Sequence, residues 1–538
     1  MSVKRFGIYI AFPPQVNLCS EGLGRHLAAF IKATQTRKDI QFVIACPSWS
    51  RESLHKLCDE ENIDFTQLQI LGPTQKPMFL MLFELLQKWK KNKSKGRIRS
   101  YLRKLVGHIK KPYHLLTRKW VCTRNVLVFV ILSPICAPSL LLQKPYLLFK
   151  SAITRLTTLL HNVPKLFERK LPTQLQNKIP LRQMHALKQN GLILKLYRMM
   201  ETAEMELMHK HIRKCKNISA WYSPTSFWPQ FNKIHGPRLM CVPDVVLSEF
   251  PVGFANVGGL RYYDSFTLIK QAIHTGNHYV TYSEKVKQNT LVNQYQIQAK
   301  MIHVVPHGAN SLNHHFTQSQ HARLDAGACE EAFLSALKKS ILQNGEFLQN
   351  TNISFLFYAS QFRPNKNILS LIRAYDHLLK RKHYQGKLIL TGDPHSMPEI
   401  ANLISEYNLQ NDVLCLHGLS AKELTACYTF AGLAVNPSFS EGGFPFTFTE
   451  ALSVGTPVVM SRIAVTEEIL SDPDLNEASL FDPYDWHAMA QHIEWALQNG
   501  PALYEKQRQF YDTVLVKRTW QIAVNEYVNI LEKISAPS

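Results

Sequence analysis

Between residues 353 and 460, short apolar runs alternate with stretches of helical periodicity, and that alternation leaves the chain very few folds. The runs 353–358, 387–391, 413–416, 433–435 and 457–460 are short and mostly apolar, as parallel strands are when both faces are covered. Between them, 368–380, 398–407, 421–430 and 449–454 repeat apolar residues every three or four positions. Strand and helix in strict turn build a doubly wound parallel sheet.

The first half shows the same pattern in looser form. Residues 6–12 are apolar and end at Pro13-Pro14; Gly22 and Gly24 follow, then Leu23, Leu27, Phe30 and Ile31 at helical spacing, then a second run at 42–45. This reads as an opening βαβ unit. Further strands are expected at 218–222, 239–242, 278–283 and 302–305, with a helix at 284–295. The 538 residues suit two or three domains at roughly 100–200 residues each. The pattern gives two α/β domains facing across a cleft, 1–312 and 351–508, joined by a polar, helix-prone linker at 313–350.

Composition excludes several classes. With 45% hydrophobic and 19% charged residues, the chain is neither disordered nor a polytopic membrane protein. None of its ten cysteines forms a CxxC pair, which argues against zinc and disulfide frameworks and for a reducing compartment. The run 6–12 is shorter than a signal-peptide core and reads as a first strand, so a cytoplasmic protein is expected. The net charge of +22 is concentrated: 25 of the 62 Lys and Arg, but only Glu168 of the 40 acids, lie between Lys88 and Arg198.

Three motifs carry chemistry. Gln361-Phe362-Arg363-Pro364-Asn365-Lys366-Asn367 joins a strand to a helix, where two cations beside a helix N-terminus would favour phosphate, or would form a solvated turn. Thr391-Gly392-Asp393 ends the next strand and allows a tight turn. The segment from Asn436 to Ala451 holds Glu441, then Gly442 and Gly443, then Glu450 at an expected helix start. Carboxylates accept hydrogen bonds from vicinal diols, and bare glycine amides suit anions or sugar oxygens.

In their order and spacing, with His417-Gly418, Pro437-Ser438 and Gly455-Thr456-Pro457, these pieces resemble the family 4 glycosyltransferases of the GT-B fold. The resemblance is close from about 353 to 470 and looser before that. It implies the GT-B architecture, two Rossmann-like domains facing across a cleft, and transfer of a hexose from a nucleotide-sugar with retention of configuration. It assigns Arg363 and Lys366 to the donor diphosphate, Glu441 to the donor sugar hydroxyls and Glu450 to the ribose diol. Gln361 lies in the same donor turn. Gly442, Gly443 and Phe444 would offer backbone N–H groups to sugar and phosphate, and Gly22 and Gly24 would close on the diphosphate from the other domain. It also has the final helix, within 509–538, packing back on the first domain.

The sequence departs from the family in three places. Ser360-Gln361 replaces the usual Gly-Arg, so Arg363 must supply the guanidinium. Eight residues separate Glu441 from Glu450 instead of seven. Pro243-Asp244 stands where a His-Asp is common. The form of the basic turn resembles mannosyltransferases, which points to GDP-mannose over a UDP-sugar. No metal is expected, since Asp472-Pro473-Asp474 reads as a turn and cations can meet the leaving charge.

The family's first domain is compact, so about 76–200 looks like a basic helical insert. Within it, 125–143 carries no charge, contains Pro134 and Pro138, and is flanked by Arg124 and Lys144. That reads as a re-entrant or interfacial hairpin on an anionic membrane surface. A solvated face is the plainer alternative. A nucleic-acid partner is not expected, because no reader motif accompanies the charge. The combined expectation is an enzyme peripheral on the cytoplasmic face of a membrane, extending a lipid-linked or cell-surface glycan. Its rivals are a transferase with a soluble acceptor and an inactive scaffold of the same fold.

Overall fold

The computed structural model describes residues 3–91, 119–136, 191–316, 325–340 and 354–536, apart from positions 15, 21, 36, 66 and 67. In the first half, strands β1 (Lys4–Tyr9), β2 (Ile40–Ala45), β3 (Gln69–Leu71), β4 (Ala220–Ser223), β5 (Arg238–Cys241), β6 (His278–Thr281) and β7 (Ile302–Val304) form one sheet. Its order is β3-β2-β1-β4-β5-β6-β7 and every pairing is parallel. The second sheet takes β8 (Phe355–Tyr358), β9 (Lys387–Leu390), β10 (Val413–Cys415), β11 (Leu433–Asn436), β12 (Val458–Ser461) and β13 (Leu480–Phe481) in the order β10-β9-β8-β11-β12-β13, again all parallel. In both sheets the order reverses beside the first strand, and ligands of such sheets bind at the carboxyl ends there.

Continuous apolar strands are buried on two faces. Phe355 and Phe357 of β8 enter one core and Leu356 and Tyr358 the other, as the two-residue side-chain period requires. All four are essentially inaccessible.

Helix α1 (Gly22–Gln35) follows β1 as the βαβ reading requires. The crossover from β3 to β4 carries α2 (Met78–Lys91), α3 (Val126–Cys136) and α4 (Gly191–Lys214). Trp120 seats this region on the first domain, stacking on Phe129 of α3 (centroids 5.5 Å) and edge-on to Phe79 of α2 (5.7 Å). Buried Glu204 of α4 pairs with Arg124 and accepts from the Ser48 N–H at 2.8 Å, beyond the end of β2. Most of the expected basic insert, 92–118 and 137–190, lies outside the described residues. Of the uncharged stretch, 126–136 forms a single helix, and 137–143 lies outside them too. No helix among the described residues is long and apolar enough to cross a membrane.

The linker region contains a helix at Ala326–Leu337. In the second half, α5 (Ile368–Arg381) follows the basic turn and α6 (Phe446–Ser453) follows the glycine pair. Helix α6 starts three residues before the expected position, with Pro445 at its N-cap, so Glu450 is not in its first turn. The expected turn Asp472-Pro473-Asp474 is a helix start: Asp472 accepts from Leu475 N–H at 2.8 Å and caps Pro473–Ser479.

The terminal helix α7 (Trp520–Ser535) lies on the first domain. Its buried Tyr527 meets Phe30 (5.3 Å) and Tyr222 (5.2 Å), and Glu532 pairs with Lys4 at 2.8 Å. The chain thus crosses between the halves twice, and the crossings touch: Ala309 N–H donates to Arg518 O at 2.8 Å.

Candidate active site

Local backbone geometry places the two cations. The extended Arg363 and the 3-10 turn Pro364–Lys366 follow β8. Asn367 then takes φ +53°, a left-handed conformation that Asn tolerates, and the chain reverses into α5. Asn365 ties this turn to the next loop, accepting from Phe439 N–H (2.9 Å) and donating from its side chain to Ser440 O (3.2 Å). Those bonds bring Lys366 Nζ to 2.6 Å from Glu441 Oε1. Burial works to lower the Lys366 pKa, but the Glu441 carboxylate outweighs it and holds the ammonium above its ordinary range. Gln361 accepts from Arg363 Nη2 at 2.8 Å and so orients the guanidinium.

A cavity of about 570 Å³ opens at these strand ends between the halves. Gln361, Arg363, Lys366, Glu441 and Glu450 all line it. Pro445, Phe446 and Thr447 bring the first turn of α6 to its wall, where backbone N–H groups lack helical partners. His417 and Gly418 line another part. Glu450 is buried on α6, and its Oε1 accepts from Asn310 Nδ2 at 3.2 Å. Asn310 Oδ1 in turn accepts from Trp520 Nε1 at 3.2 Å. Among the described residues, no three His, Cys, Asp or Glu side chains meet as a metal site.

The glycines stand differently. Gly442 and Gly443 are packed against the first domain: a Cβ on Gly442 would lie 1.9 Å from Pro243 O, and one on Gly443 2.9 Å from Tyr282 Cβ. Ser283 Oγ donates to Gly442 O at 2.9 Å. His307 Nε2 lies 2.9 Å from the Phe444 carbonyl. The pair therefore serves close approach of the two domains, and the cavity wall takes Glu441 and residues 445–447 on either side of it. Gly22 and Gly24 are not a loop over the cavity but the opening residues of α1, where a Cβ on Gly24 would meet Leu18 O at 1.9 Å. Among the described side chains of α1, His26 lines the cavity.

Sequence reasoning missed four residues. Asp244, after β5, faces Glu441, Lys366, Arg363 and Glu249; burial first, then Glu441, raises its pKa. His26 is buried, and that burial, with His307 nearby, drops its pKa to about 3. Asn310 and Trp520 come from the two crossings. Only Asp244 carried a local signal, as an acid just after an apolar strand.

Residues 343–513 match the family model described as Glycosyl transferases group 1. Over 146 residues, 27% of this chain and 37% of the relative, the sequence is 30% identical to O-antigen chain mannosyltransferase B of Escherichia coli. Over 127 residues, 24% of this chain and 30% of the relative, it is 33% identical to the MMP alpha-(1->4)-mannosyltransferase of Mycolicibacterium hassiacum. The matched part thus spans about a third of the length of these curated relatives. The structure of Anabaena HepE in complex with UDP and glucose superposes with a TM-score of 0.52 at 12% identity, covering 98% of this chain and 99% of that one. The chain has the GT-B fold, and its second half is similar in sequence to the group 1 glycosyl transferases.

Proposed function

We propose that the protein is a glycosyltransferase that moves a hexose from a nucleotide-sugar to a glycan. One observation carries this reading: a single cavity is lined by Lys366, Arg363, the first turn of α6 and two acids, Glu441 and Glu450. Cations and helix N–H groups suit a diphosphate, and the two acids suit the hydroxyls of a sugar and a ribose, the parts of a nucleotide-sugar. As the glycosidic bond breaks, the diphosphate gains negative charge. The two cations and the free N–H groups of α6 meet that charge, without a metal in the proposed scheme. Glu441 accepts from the donor sugar hydroxyls and Glu450 from the ribose, with the base toward His417-Gly418. Retention of configuration and a GDP-mannose donor are inferred from the family 4 resemblance, and the names of the mannosyltransferase relatives support mannose as the sugar.

Thermal denaturation of the purified chain with GDP, UDP or ADP tests the reading. One nucleotide should stabilise the protein by a few kcal/mol at saturating concentration, and Glu450→Ala should lose that shift. Stabilisation by none of them would leave an inactive scaffold of the same fold.

We further propose that the acceptor is lipid-linked or on a cell surface, and that the enzyme sits on the cytoplasmic face of an anionic membrane. The supporting observation is α3, whose Val126, Leu127, Val130 and Ile131 are 57–72% exposed. Exposed Met81, Leu82 and Leu85 lie on α2, in the same crossover. Apolar side chains among such an excess of cations suit a charged lipid surface. The protein should sediment with phosphatidylglycerol vesicles and not with phosphatidylcholine, and Leu127→Ser with Ile131→Ser should release it. A protein that stays in the supernatant with both has a soluble acceptor.

A further inference from the structure

Beyond Glu441 lies a second cavity of about 540 Å³, also between the domains. Glu441 lines both cavities, so a ligand in the second would adjoin the sugar end of the first. Three aromatic rings bridge the domains here. Phe250 stacks on Phe439 (centroids 6.0 Å, planes 27° apart), and Phe439 stacks on Tyr484 (5.0 Å, 26°). The outermost ring, Tyr484, is 76% exposed. Its loop is braced at both ends: Asp482 accepts from Tyr484 N–H at 2.8 Å, and Asp485 accepts from His487 N–H at 2.8 Å to cap the next helix. An exposed ring held this firmly is a fixed apolar platform, not a loose surface residue. The π-helical segment Val286–Gln294 of the first domain contributes Asn289 and Gln294 to the lining, both exposed.

An aromatic face and carboxamides lining one cavity have the chemistry of a saccharide site. A pyranose has one face of C–H groups that packs on a ring, and a rim of hydroxyls that both donate and accept. We propose that this cavity binds the acceptor glycan, with a pyranose unit on Tyr484 and its hydroxyls toward Asn289 and Gln294. The next unit would then present its hydroxyl past Glu441 to the donor sugar. The inference rests on the transferase reading for the identity of the ligand as acceptor. The cavity's concavity and its polar groups around an apolar floor are properties of the site itself.

The test uses the full chain and two probes, α-linked mannotriose and maltotriose, followed by saturation-transfer NMR beside the nucleotide thermal shift. One trisaccharide should receive saturation, lose it in Tyr484→Ala and keep it in Tyr484→Phe, with the nucleotide shift unchanged in both variants. In a transfer assay, Tyr484→Ala should raise the acceptor KM at least tenfold and leave kcat within twofold. If a nucleotide stabilises the protein but neither trisaccharide binds, or binding survives Tyr484→Ala, the subsite is overturned while the transferase reading stands. If no nucleotide stabilises it but a trisaccharide binds through Tyr484, the transferase reading fails and the cavity remains a glycan site. Failure of both probes overturns both.

Discussion

Lys366 Nζ stands 2.6 Å from Glu441 Oε1, so the cation assigned to the diphosphate and the acid assigned to the sugar hold one another in place. Both side chains are less than a fifth exposed, and removing either leaves the other charge poorly solvated. The two losses should still differ. Lys366→Ala removes a charge-assisted contact to phosphate, so nucleoside diphosphate affinity should fall about ten- to a hundredfold. Glu441→Gln leaves the phosphate contacts intact, so nucleotide affinity should stay within about threefold while kcat/KM falls roughly a hundredfold. Calorimetric titration with initial rates separates them, and equal losses of nucleotide affinity would contradict the assignment.

The hydrogen-bonded series Trp520–Asn310–Glu450 joins both interdomain crossings to the acid proposed for the ribose. Asn310→Ala removes one bond that holds Glu450 and leaves the cations untouched. Nucleoside diphosphate affinity should fall about five- to tenfold, near the worth of one such bond, while pyrophosphate binding should not change. A matching loss for pyrophosphate would place the effect on the domain arrangement instead.

At Gly442 the backbones of the two domains pack directly, with Pro243 O only 1.9 Å from where a Cβ would sit. Backbone meets backbone there, so neither side can yield by a rotamer change. Gly442→Ala should push the domains apart, raising the radius of gyration in small-angle scattering and cutting activity at least tenfold. Gly500→Ala is the control, since nothing lies within 4 Å of its added Cβ. An unchanged scattering profile for Gly442→Ala would show that the interface does not set closure.

The alternation of 353–460 was legible because each strand is buried on both faces, so local sequence and tertiary environment agree. The acids and cations were legible because they lie in one stretch of about ninety residues whose elements follow one another in space. Glycine was misread for want of tertiary context: Gly442 is small because the distant Pro243 O presses on it and Gly24 because the chain turns back on Leu18 O, and nothing in the adjacent residues records either. The start of α6 was expected at 449, whereas Pro445 with its fixed φ begins the helix three residues earlier. Asn310 and Trp520 are 210 residues apart and meet only because the chain crosses twice.

His26 makes the pH dependence of stability predictable. Burial, aided by His307, lowers its pKa from 6.5 to about 3. Its ring lies among Tyr282, whose hydroxyl is 3.2 Å from Nδ1, and Trp520, edge-on at 4.9 Å, and none of these neighbours is acidic. Between pH 6.5 and 3 the unfolded chain therefore binds a proton at this residue that the folded chain does not. Stability from this group should be level above about pH 7 and fall as the pH drops through 6.5. The loss from pH 7 to pH 5 should be about 2 kcal/mol. His307, whose pKa burial also lowers, adds in the same direction. Denaturant midpoints at pH 7 and pH 5 should separate widely for the wild type and much less for His26→Gln, which keeps a polar partner for the Tyr282 hydroxyl. If both proteins lose the same stability between those pH values, His26 is not the group that titrates.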